Sequence, residues 1–345
     1  MEKGPNMRAS LTLDFRNPPQ WRKPWREHWE DCLFLLTEGE AMGFHSLLVQ
    51  EHFFTDDGYG PSVPIFLAVL AERTKHIRIG SWIQILGLHN PAKLAQEICV
   101  LDHLSGGRLD VGVALGHRAA EFRAMQMSEK TRRSRFEEGF EILKKALTQS
   151  PISHDGKYYK YDNVIIEPRL LQQPHPPIWV GATTPGAAAR AGRFGANLYA
   201  GTTDPEAFAA YRAGLEEAGH DPARFRTAMA LSLTMTREHP DKVWERIREH
   251  SFYKWDFYRR IREELGDPML SVGTAGSVVD PETYRANELI GDKDLVLETI
   301  RQMKDNLGLT DVIVFGGHAG TDLRGHGYES QKMFADEVLP IIADW

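Results

Sequence analysis

Residues 77–115 read IRIGSWIQILGLHNPAKLAQEICVLDHLSGGRLDVGVAL and contain two apolar runs, 77–86 and 109–115, that are typical of buried strands. Asn90 can cap a helix over 91–103, whose first residue is proline. Apolar residues of this helix recur at the spacing of one face, at Leu94, Ile98 and Leu101. A strand, a helix and a second strand in this order predict parallel pairing through a helical crossover.

The same alternation of strand and helix continues along most of the chain. Further strands are predicted at 7–15, 44–49, 178–180, 196–200, 226–236 and 312–315. Further helices are predicted at 29–42, 62–74, 185–193, 205–218 and 292–306, with another beginning near Ser134. About eight strand–helix units predict an α/β fold of the TIM (β/α)8-barrel type. No G-x-G-x-x-G follows a strand and opens a helix, which disfavours an open Rossmann sheet.

Residues 250–290 interrupt the alternation and predict an insertion between strands 7 and 8. The first half is aromatic and charged, and the second half is rich in Gly, Ser and Val. The insertion either packs on the side of the barrel or forms a mobile lid, because long loops often cover active sites. No internal repeat or linker divides the chain, so residues 1–345 are predicted to form a single domain.

The composition excludes several classes of protein. The 345 residues carry 41 Lys and Arg against 48 Asp and Glu, a net charge of −7, so no overall basic field attracts nucleic acid or an anionic membrane. Cys32 and Cys99 form no Cys-x-x-Cys pair, which excludes a disulfide framework and a cysteine-based zinc site. No apolar run reaches the ~18 residues of a membrane span, and residues 1–6 lack a signal-peptide core. We therefore expect a cytoplasmic protein.

Imidazole side chains recur where predicted strands end, which is where barrel enzymes place their active sites. They belong to His52, His89, His117 and His318. A histidine at such a position is either a structural hydrogen-bonding residue or a catalyst. Glu51 favours catalysis at His52, because a carboxylate beside an imidazole raises its pKa and orients it. Neighbours on a strand point to opposite faces, however, so these two side chains need not touch.

The turn at 183–186, Thr-Thr-Pro-Gly, is the best candidate for an anion site. Thr184 can cap the following helix and Pro185 can begin it, so free N–H groups would face an anion with the helix dipole behind them. The same pattern also caps helices that bind nothing. Nearby arginines would either add guanidinium contacts or form a solvated charged face: Arg132, Arg133 and Arg135.

Metal and serine-hydrolase chemistry are not predicted. The spacing of His318, Asp322 and His326 suggests metal ligands, but the glycines among them argue against a helix that would bring them together. No Gly-x-Ser-x-Gly elbow is present. The residues thus indicate a barrel with a histidine-rich mouth and a phosphate site after strand five. Such a site suits a phosphorylated cofactor such as FMN, which the spacing alone does not select.

Several segments, in order along the chain, resemble the bacterial luciferase-like monooxygenase family. They are AMGF at 41–44, EHFF at 51–54, IGS at 79–81, HNP at 89–91, DHLSGGRL at 102–109, EF at 121–122, RFEE at 135–138, PPIWVG at 176–181 and FADEVLP at 334–340. The resemblance implies a TIM-barrel flavin enzyme. In the family, reduced FMN reacts with O₂ to give a C4a-(hydro)peroxyflavin, which oxygenates an organic substrate. It also implies a homodimer formed through the helices that flank strands two and three.

The resemblance implies that His52 is the catalytic histidine and that Glu51 is its acidic neighbour. The strand ends and the resemblance together predict the cofactor-binding residues Ser81, Trp82, Ile83, His117, Arg135, Gly181, Thr183, Thr184 and Gly186. Phe53 stands where luciferases carry a second histidine, so light emission is not expected. Leu115 stands where luciferase itself can carry a phosphate-binding arginine, which leaves the phosphate to the 183–186 turn and to Arg133 or Arg135.

The expected partners are a small organic substrate, O₂ and an NAD(P)H:flavin reductase that supplies reduced FMN. Two other functions stay open at this point. The same fold includes F420-dependent oxidoreductases, which transfer hydride and use no O₂. The chain could instead be a flavin-binding paralogue without enzyme activity.

Overall fold

The computed structural model describes residues 6–60, 62–265 and 280–345. Residues 266–279, in the middle of the predicted insertion at 250–290, lie outside the described residues, so the lid stays a prediction. None of the helices in the described part of the chain is both long and apolar enough to cross a bilayer.

The secondary structure consists of strands and helices in alternation. The strands are β1 Arg8–Thr12, β2 Ser46–Val49, β3 Arg78–Ser81, β4 Gln84–Ile85, β5 Leu109–Ala114, β6 Ile152–Asp155, β7 Lys160–Val164, β8 Ile178–Ala182, β9 Asn197–Ala200, β10 Thr227–Met235, β11 Leu289–Gly291 and β12 Asp311–Phe315. The helices are α1 Trp25–Ala41, α2 Val63–Arg73, α3 Pro91–Leu104, α4 Ala119–Ala124, α5 Arg132–Thr148, α6 Pro185–Arg193, α7 Pro205–Glu217, α8 Pro240–Leu265, α9 Lys293–Leu307, α10 Tyr328–Glu337 and α11 Leu339–Ile342.

The chain has the predicted TIM (β/α)8-barrel fold. Its eight strand–helix units are built on β1, β2, β3, β5, β8, β9, β10 and β12. Residue contacts divide the chain into two compact units: the first comprises 1–47, 55–59 and 226–345, and the second comprises 48–54 and 60–225. The single-domain organisation of residues 1–345 stays a prediction.

Each unit contains its own run of parallel strands. In the first unit, β12 pairs with β1 and with β10, and β10 pairs with β11. In the second unit, β5 pairs with β3, β4 and β8, and β8 pairs with β9. Every residue of β2, β5 and β12 is buried, as expected for strands with helices packed on their outer face.

Helix α3 confirms the sequence-based prediction almost residue for residue. Oδ1 of Asn90 accepts hydrogen bonds from the N–H groups of Ala92 and Lys93, each at 3.1 Å. Helix α3 carries Cys99, and helix α1 carries Cys32. Both thiols are fully buried, and burial raises the pKa of Cys99 to about 11 and that of Cys32 further.

Two segments differ from the predicted elements. Residues 152–164 form an antiparallel hairpin, β6–β7, that the strand–helix pattern does not predict. The aromatic half of the predicted insertion is not irregular, because it continues helix α8 through Leu265. The first turns of α8 bury Val243, Trp244 and Ile247 against Ile290 of β11, which explains why the helix is stable there.

Gly112 of β5 lies in close contact with the end of β3. Oγ of Ser81 both donates to the Gly112 carbonyl and accepts from its N–H, each at 2.8 Å. A Cβ at Gly112 would lie 2.2 Å from the Ser81 carbonyl oxygen and 2.9 Å from Cγ2 of Ile83. Glycine at this position therefore allows β3 to end close against β5.

Replacing Gly112 by Ala is expected to destabilise the protein by about 3 kcal/mol, because a backbone oxygen must move to make room. The matched control is Gly139→Ala in α5, where an added Cβ would meet only ordinary contacts at 3.5 Å and beyond. We expect the control to be neutral or slightly stabilising, by up to ~1 kcal/mol. Urea unfolding measures both variants, and equal stabilities would contradict the packing argument.

Candidate active site

His52 follows β2 and is fixed by a carboxylate from a distant part of the second unit. Nδ1 of His52 lies 3.0 Å from Oε1 of Glu121, and the same oxygen accepts the N–H of Phe53 at 2.8 Å. Both side chains are buried. An ionised carboxylate only accepts hydrogen bonds, so Nδ1–H donates in this contact, and in the neutral form of the ring the acceptor lone pair lies on Nε2. This tautomer is the one that a general base needs.

Glu121 lies in the first turn of α4, where the positive end of a helix favours a negative charge. Nη1 of Arg118 lies 4.0 Å from Oε1 of Glu121 and donates to the carbonyl of Phe53 at 2.6 Å. Oε2 of Glu121 is buried and has no hydrogen-bond partner among the described residues. Glu121 was not among the predicted site residues, although it lies in one of the segments that resemble the family.

Glu51 has a different partner from the one that its position in the sequence suggests. Its Oε2 contacts Nε2 of His89 at 2.8 Å and accepts the N–H of Ile85 at 2.7 Å. Glu121 therefore supplies the carboxylate contact at Nδ1 of His52, and the catalytic role of Glu51 stays a prediction. Burial alone lowers the pKa of His89, but the hydrogen bond and the charge of Glu51 outweigh it, so that this pKa lies above its ordinary value.

The predicted cofactor-binding residues Ser81, Trp82 and Ile83 form a wall where β3 ends. Trp82 donates its N–H to the carbonyl of Val49 at 2.7 Å, and the Trp82–Ile83 peptide bond is cis. A Cβ at Gly181 would lie 2.4 Å from Cδ1 of Ile83, so this glycine makes room for the isoleucine. Ser81 differs from the other predicted residues of the wall, because its hydroxyl is engaged by the backbone of β5.

The turn after β8 has the geometry predicted for an anion site. Oγ1 of Thr184 caps α6 by accepting the N–H of Ala187 at 3.4 Å, and Pro185 is the first helical residue. Thr183, Thr184 and Gly186 are exposed, and a Cβ at Gly186 would meet no atom within 4 Å. An anion can therefore approach the N–H groups that begin the helix.

Two further predicted residues lie in the second unit. The ring of exposed His117 meets the ring of His52 edge to face, with 5.6 Å between their centroids. The guanidinium of Arg135 stacks 4.6 Å over the ring of Tyr158, and its Nε is buried with no hydrogen-bond partner among the described residues. The neighbouring Arg133 pairs instead with Glu137 at 2.9 Å on the exposed face of α5.

His318 belongs to a buried ionic cluster in the first unit. Its Nε2 lies 3.2 Å from Oε2 of Glu288, and the other oxygen of this carboxylate, Oε1, accepts hydrogen bonds from Ser251 and Trp255. Burial raises the pKa of Glu288, but the charges of His318 and Lys254 outweigh burial and lower it to about 2. His318 therefore contacts a buried carboxylate inside this unit.

The suggested metal constellation is not formed. Asp322 accepts the N–H groups of Arg324 and Gly325, and Nδ1 of His326 lies 3.6 Å from Glu329 on the surface. Across residues 6–60, 62–265 and 280–345, the side chains of His, Cys, Asp and Glu form no group of three or more that could hold a metal ion.

A family model described as luciferase-like monooxygenase matches residues 7–311. The chain belongs to this family. Among its relatives, the oxygenase component of the flavin-dependent trigonelline monooxygenase of Acinetobacter baylyi is 30% identical over 175 residues, 50% of this chain and 48% of that protein. The chain spans about half the length of the first curated relatives that it matches.

Solved structures of other proteins share the fold over most of the chain. The oxygenating constituent of 3,6-diketocamphane monooxygenase of Pseudomonas putida, solved in complex with FMN, has a TM-score of 0.80 at 20% identity and covers 97% of this chain and 99% of its own. An F420-dependent secondary alcohol dehydrogenase has a TM-score of 0.76 at 17% identity, and the match covers 96% of this chain and 98% of the dehydrogenase. At these identities the likeness concerns the fold alone, which both flavin and deazaflavin proteins use.

Proposed function

We propose that this luciferase-like protein is a flavin-dependent monooxygenase that uses reduced FMN and O₂ to oxygenate a small organic substrate. The observation that carries the proposal is the buried His52–Glu121 pair, which orients an imidazole to act as a base. The accessible N-terminus of helix α6 lies in the same unit. When bound, reduced FMN supplies the electrons that activate O₂. The family membership and the flavin-dependent relative support this assignment.

The residues present fit a phosphorylated flavin. The phosphate would accept hydrogen bonds at the N-terminus of α6, from Thr183, Thr184 and the Gly186 N–H, where the helix dipole favours an anion. Arg135, whose Nε has no hydrogen-bond partner in the described part of the chain, would be a further donor. The ring would lie against residues 82–83, with His117 beside His52.

His52 would hold or move a proton at Nε2 during turnover. When the ring takes up this proton, the carboxylate of Glu121 stabilises the imidazolium through Nδ1–H, as an acidic residue does in other catalytic triads. A buried carboxylate serves this purpose better than an exposed one, because water does not screen its charge. The substrate and an NAD(P)H:flavin reductase are the proposed partners, by analogy with the relative named as an oxygenase component.

Replacing His52 by Ala is expected to leave FMN binding within about twofold and to lower turnover by about 10²–10⁴-fold, the usual range for loss of a general base. Flavin fluorescence measures binding. Turnover is measured as O₂ uptake with NADH, FMN and a flavin reductase after subtraction of the uptake without this protein, because free reduced FMN also consumes O₂. Glu121→Gln is the companion variant, since it keeps the shape but removes the charge that orients the ring. Unchanged turnover in His52→Ala would remove this residue from the mechanism, and a wild-type protein that binds FMN without any turnover would be a non-enzymatic paralogue.

Replacing Thr184 by Ala is expected to weaken FMN binding about fivefold, because the cap of the anion-binding helix is lost. Riboflavin lacks the phosphate, so its affinity should not change. Thr184→Ser is the matched control, because it retains the hydroxyl and should bind FMN as the wild type does. Equal losses for FMN and riboflavin would show that the phosphate lies elsewhere.

Hydride transfer with F420 is the second candidate function, because an F420-dependent dehydrogenase shares the fold. F420 and FMN differ in both ring and tail, so absorbance titrations of the purified protein with each cofactor separate the two functions. Binding of F420 but not FMN would replace the proposed oxygenation by hydride transfer without O₂.

We also propose that the chain forms a homodimer through α2 and α3. These helices expose Ile65, Val100 and Leu104, with 66%, 41% and 58% of each residue accessible. Scattered exposed apolar residues are ordinary, but a group on two adjacent helices suits a covered face. The dimer is the arrangement that the family resemblance implies.

Replacing Leu104 by Glu is expected to convert the dimer into a monomer, because a charge would be buried in the interface. Ile165→Glu is the control, since Ile165 is also 64% exposed but follows the β6–β7 hairpin. Light scattering gives the molar mass of each protein. A monomeric wild type, or a Leu104→Glu protein that stays dimeric, would contradict this interface.

A further inference from the structure

Glu51 connects the residues after β2 to a segment that follows β3. Its side chain is 1% exposed, and a single oxygen, Oε2, contacts both the N–H of Ile85 and Nε2 of His89. Its other oxygen, Oε1, is buried and has no hydrogen-bond partner in the described part of the chain. One carboxylate oxygen therefore fixes two points of the segment 85–89.

The wall formed by Trp82–Ile85 is held at both ends by residues that lie two positions apart in the chain, Val49 and Glu51. At its start, the N–H of Trp82 is bound by the Val49 carbonyl at 2.7 Å. At its end, the N–H of Ile85 is bound by the Glu51 side chain at 2.7 Å. Between these points, Ile83 fills space that exists because residues 112 and 181 are glycines. Loss of Glu51 would free one end of the wall.

His89 is anchored on the other side by helix α3. The next residue, Asn90, caps that helix, so the backbone of His89 cannot shift without disturbing the cap. Tyr159 places its hydroxyl 3.5 Å from the His89 carbonyl, and the ring of Phe53 lies 6.2 Å from the imidazole. The charges that act on the ring are those of Glu51, Glu97 and Lys93, and Glu51 dominates.

We propose that Glu51 and His89 are a positioning pair that holds the Trp82–Ile85 wall of the flavin site and holds it more firmly when His89 is protonated. The proposal rests on the proposed FMN binding. In this proposal Glu51 positions the Trp82–Ile85 wall, whereas its place next to His52 in the sequence suggests that it acts on His52.

The protonation state of His89 sets the strength of the pair. With His89 protonated, its contact with Glu51 is a charge-assisted hydrogen bond, which is about twice as strong as a neutral one. The raised pKa of His89 means that this form persists to a higher pH than for an ordinary histidine. The contribution is therefore complete at low pH and is lost as the pH rises through the raised pKa. FMN affinity should fall over the same range.

The test compares wild type with Glu51→Gln from pH 6 to pH 9 by quenching of flavin fluorescence. The glutamine keeps an oxygen for the Ile85 N–H but loses the charge that His89 feels. We expect the variant to bind FMN about tenfold more weakly at pH 6, with the gap closing toward pH 9. Both proteins meet the same ionisation of FMN, so the gap reports the protein. A gap that does not change with pH, or no gap, would overturn the proposal.

Two further variants secure the interpretation. His89→Gln removes the other partner and should give the same pH-dependent gap. Lys160→Gln should behave as the wild type, because Lys160 is 75% exposed, pairs with Asp155 and is not among the charges that act on His89. If Glu51→Gln fails to fold, His89→Gln carries the test alone. A different pH profile for His89→Gln than for Glu51→Gln would refute a shared role.

A readout without flavin separates this proposal from the assignment of FMN. In the apo protein, Glu51→Ala should speed exchange of the Ile85 amide proton, and Glu51→Gln should return the pKa of His89 toward its ordinary value, both measured by NMR. If wild type binds no FMN at any pH, the proposed function fails, and these two measurements still decide the pair. An unchanged Ile85 exchange rate together with an unchanged His89 titration would overturn it.

Discussion

The candidate site depends on two buried carboxylates, those of Glu51 and Glu121, which connect the residues after β2 to two other segments of the second unit. The side chain of Glu51 reaches Ile85 and His89, while Glu121 reaches back to His52 and to the N–H of Phe53. Successive residues of an extended chain point in opposite directions, so the adjacent Glu51 and His52 meet different neighbours. The contacts that set the tautomer of His52 and the position of the Trp82–Ile85 wall therefore all involve residues 49–53.

The two carboxylates are tolerated in the interior because each is hydrogen-bonded to more than one group. An isolated buried carboxylate would take up a proton, since burial without partners disfavours the charge strongly. The first unit solves the same problem in another way, with Asp14 bonded to Arg16, whose guanidinium lies 4.7 Å from the ring of Tyr59. In both units charge is retained where it has short, directional contacts.

Local signals in the sequence predicted the helices best. Helix α6 agrees with its predicted bounds, because a capping threonine, a proline and a helical apolar face all lie within ten residues. The β6–β7 hairpin was missed, since its side chains are mostly exposed and no apolar alternation marks its strands. The partner of His52 was also missed, because Glu121 lies 69 residues away and only the folded chain brings them together. Glu51 is the neighbour of His52 in the sequence, but in the fold Glu51 contacts His89 and Glu121 contacts His52.

The burial of both thiols has a consequence for the proposed monooxygenase activity. The reactive form of cysteine is the thiolate, and burial raises the pKa of Cys32 and Cys99 so far that almost none is present at neutral pH. These are the chain's two cysteines. If the proposed activity releases hydrogen peroxide, the peroxide meets little thiolate, so oxidation of the two cysteines to sulfenic acid should be slow.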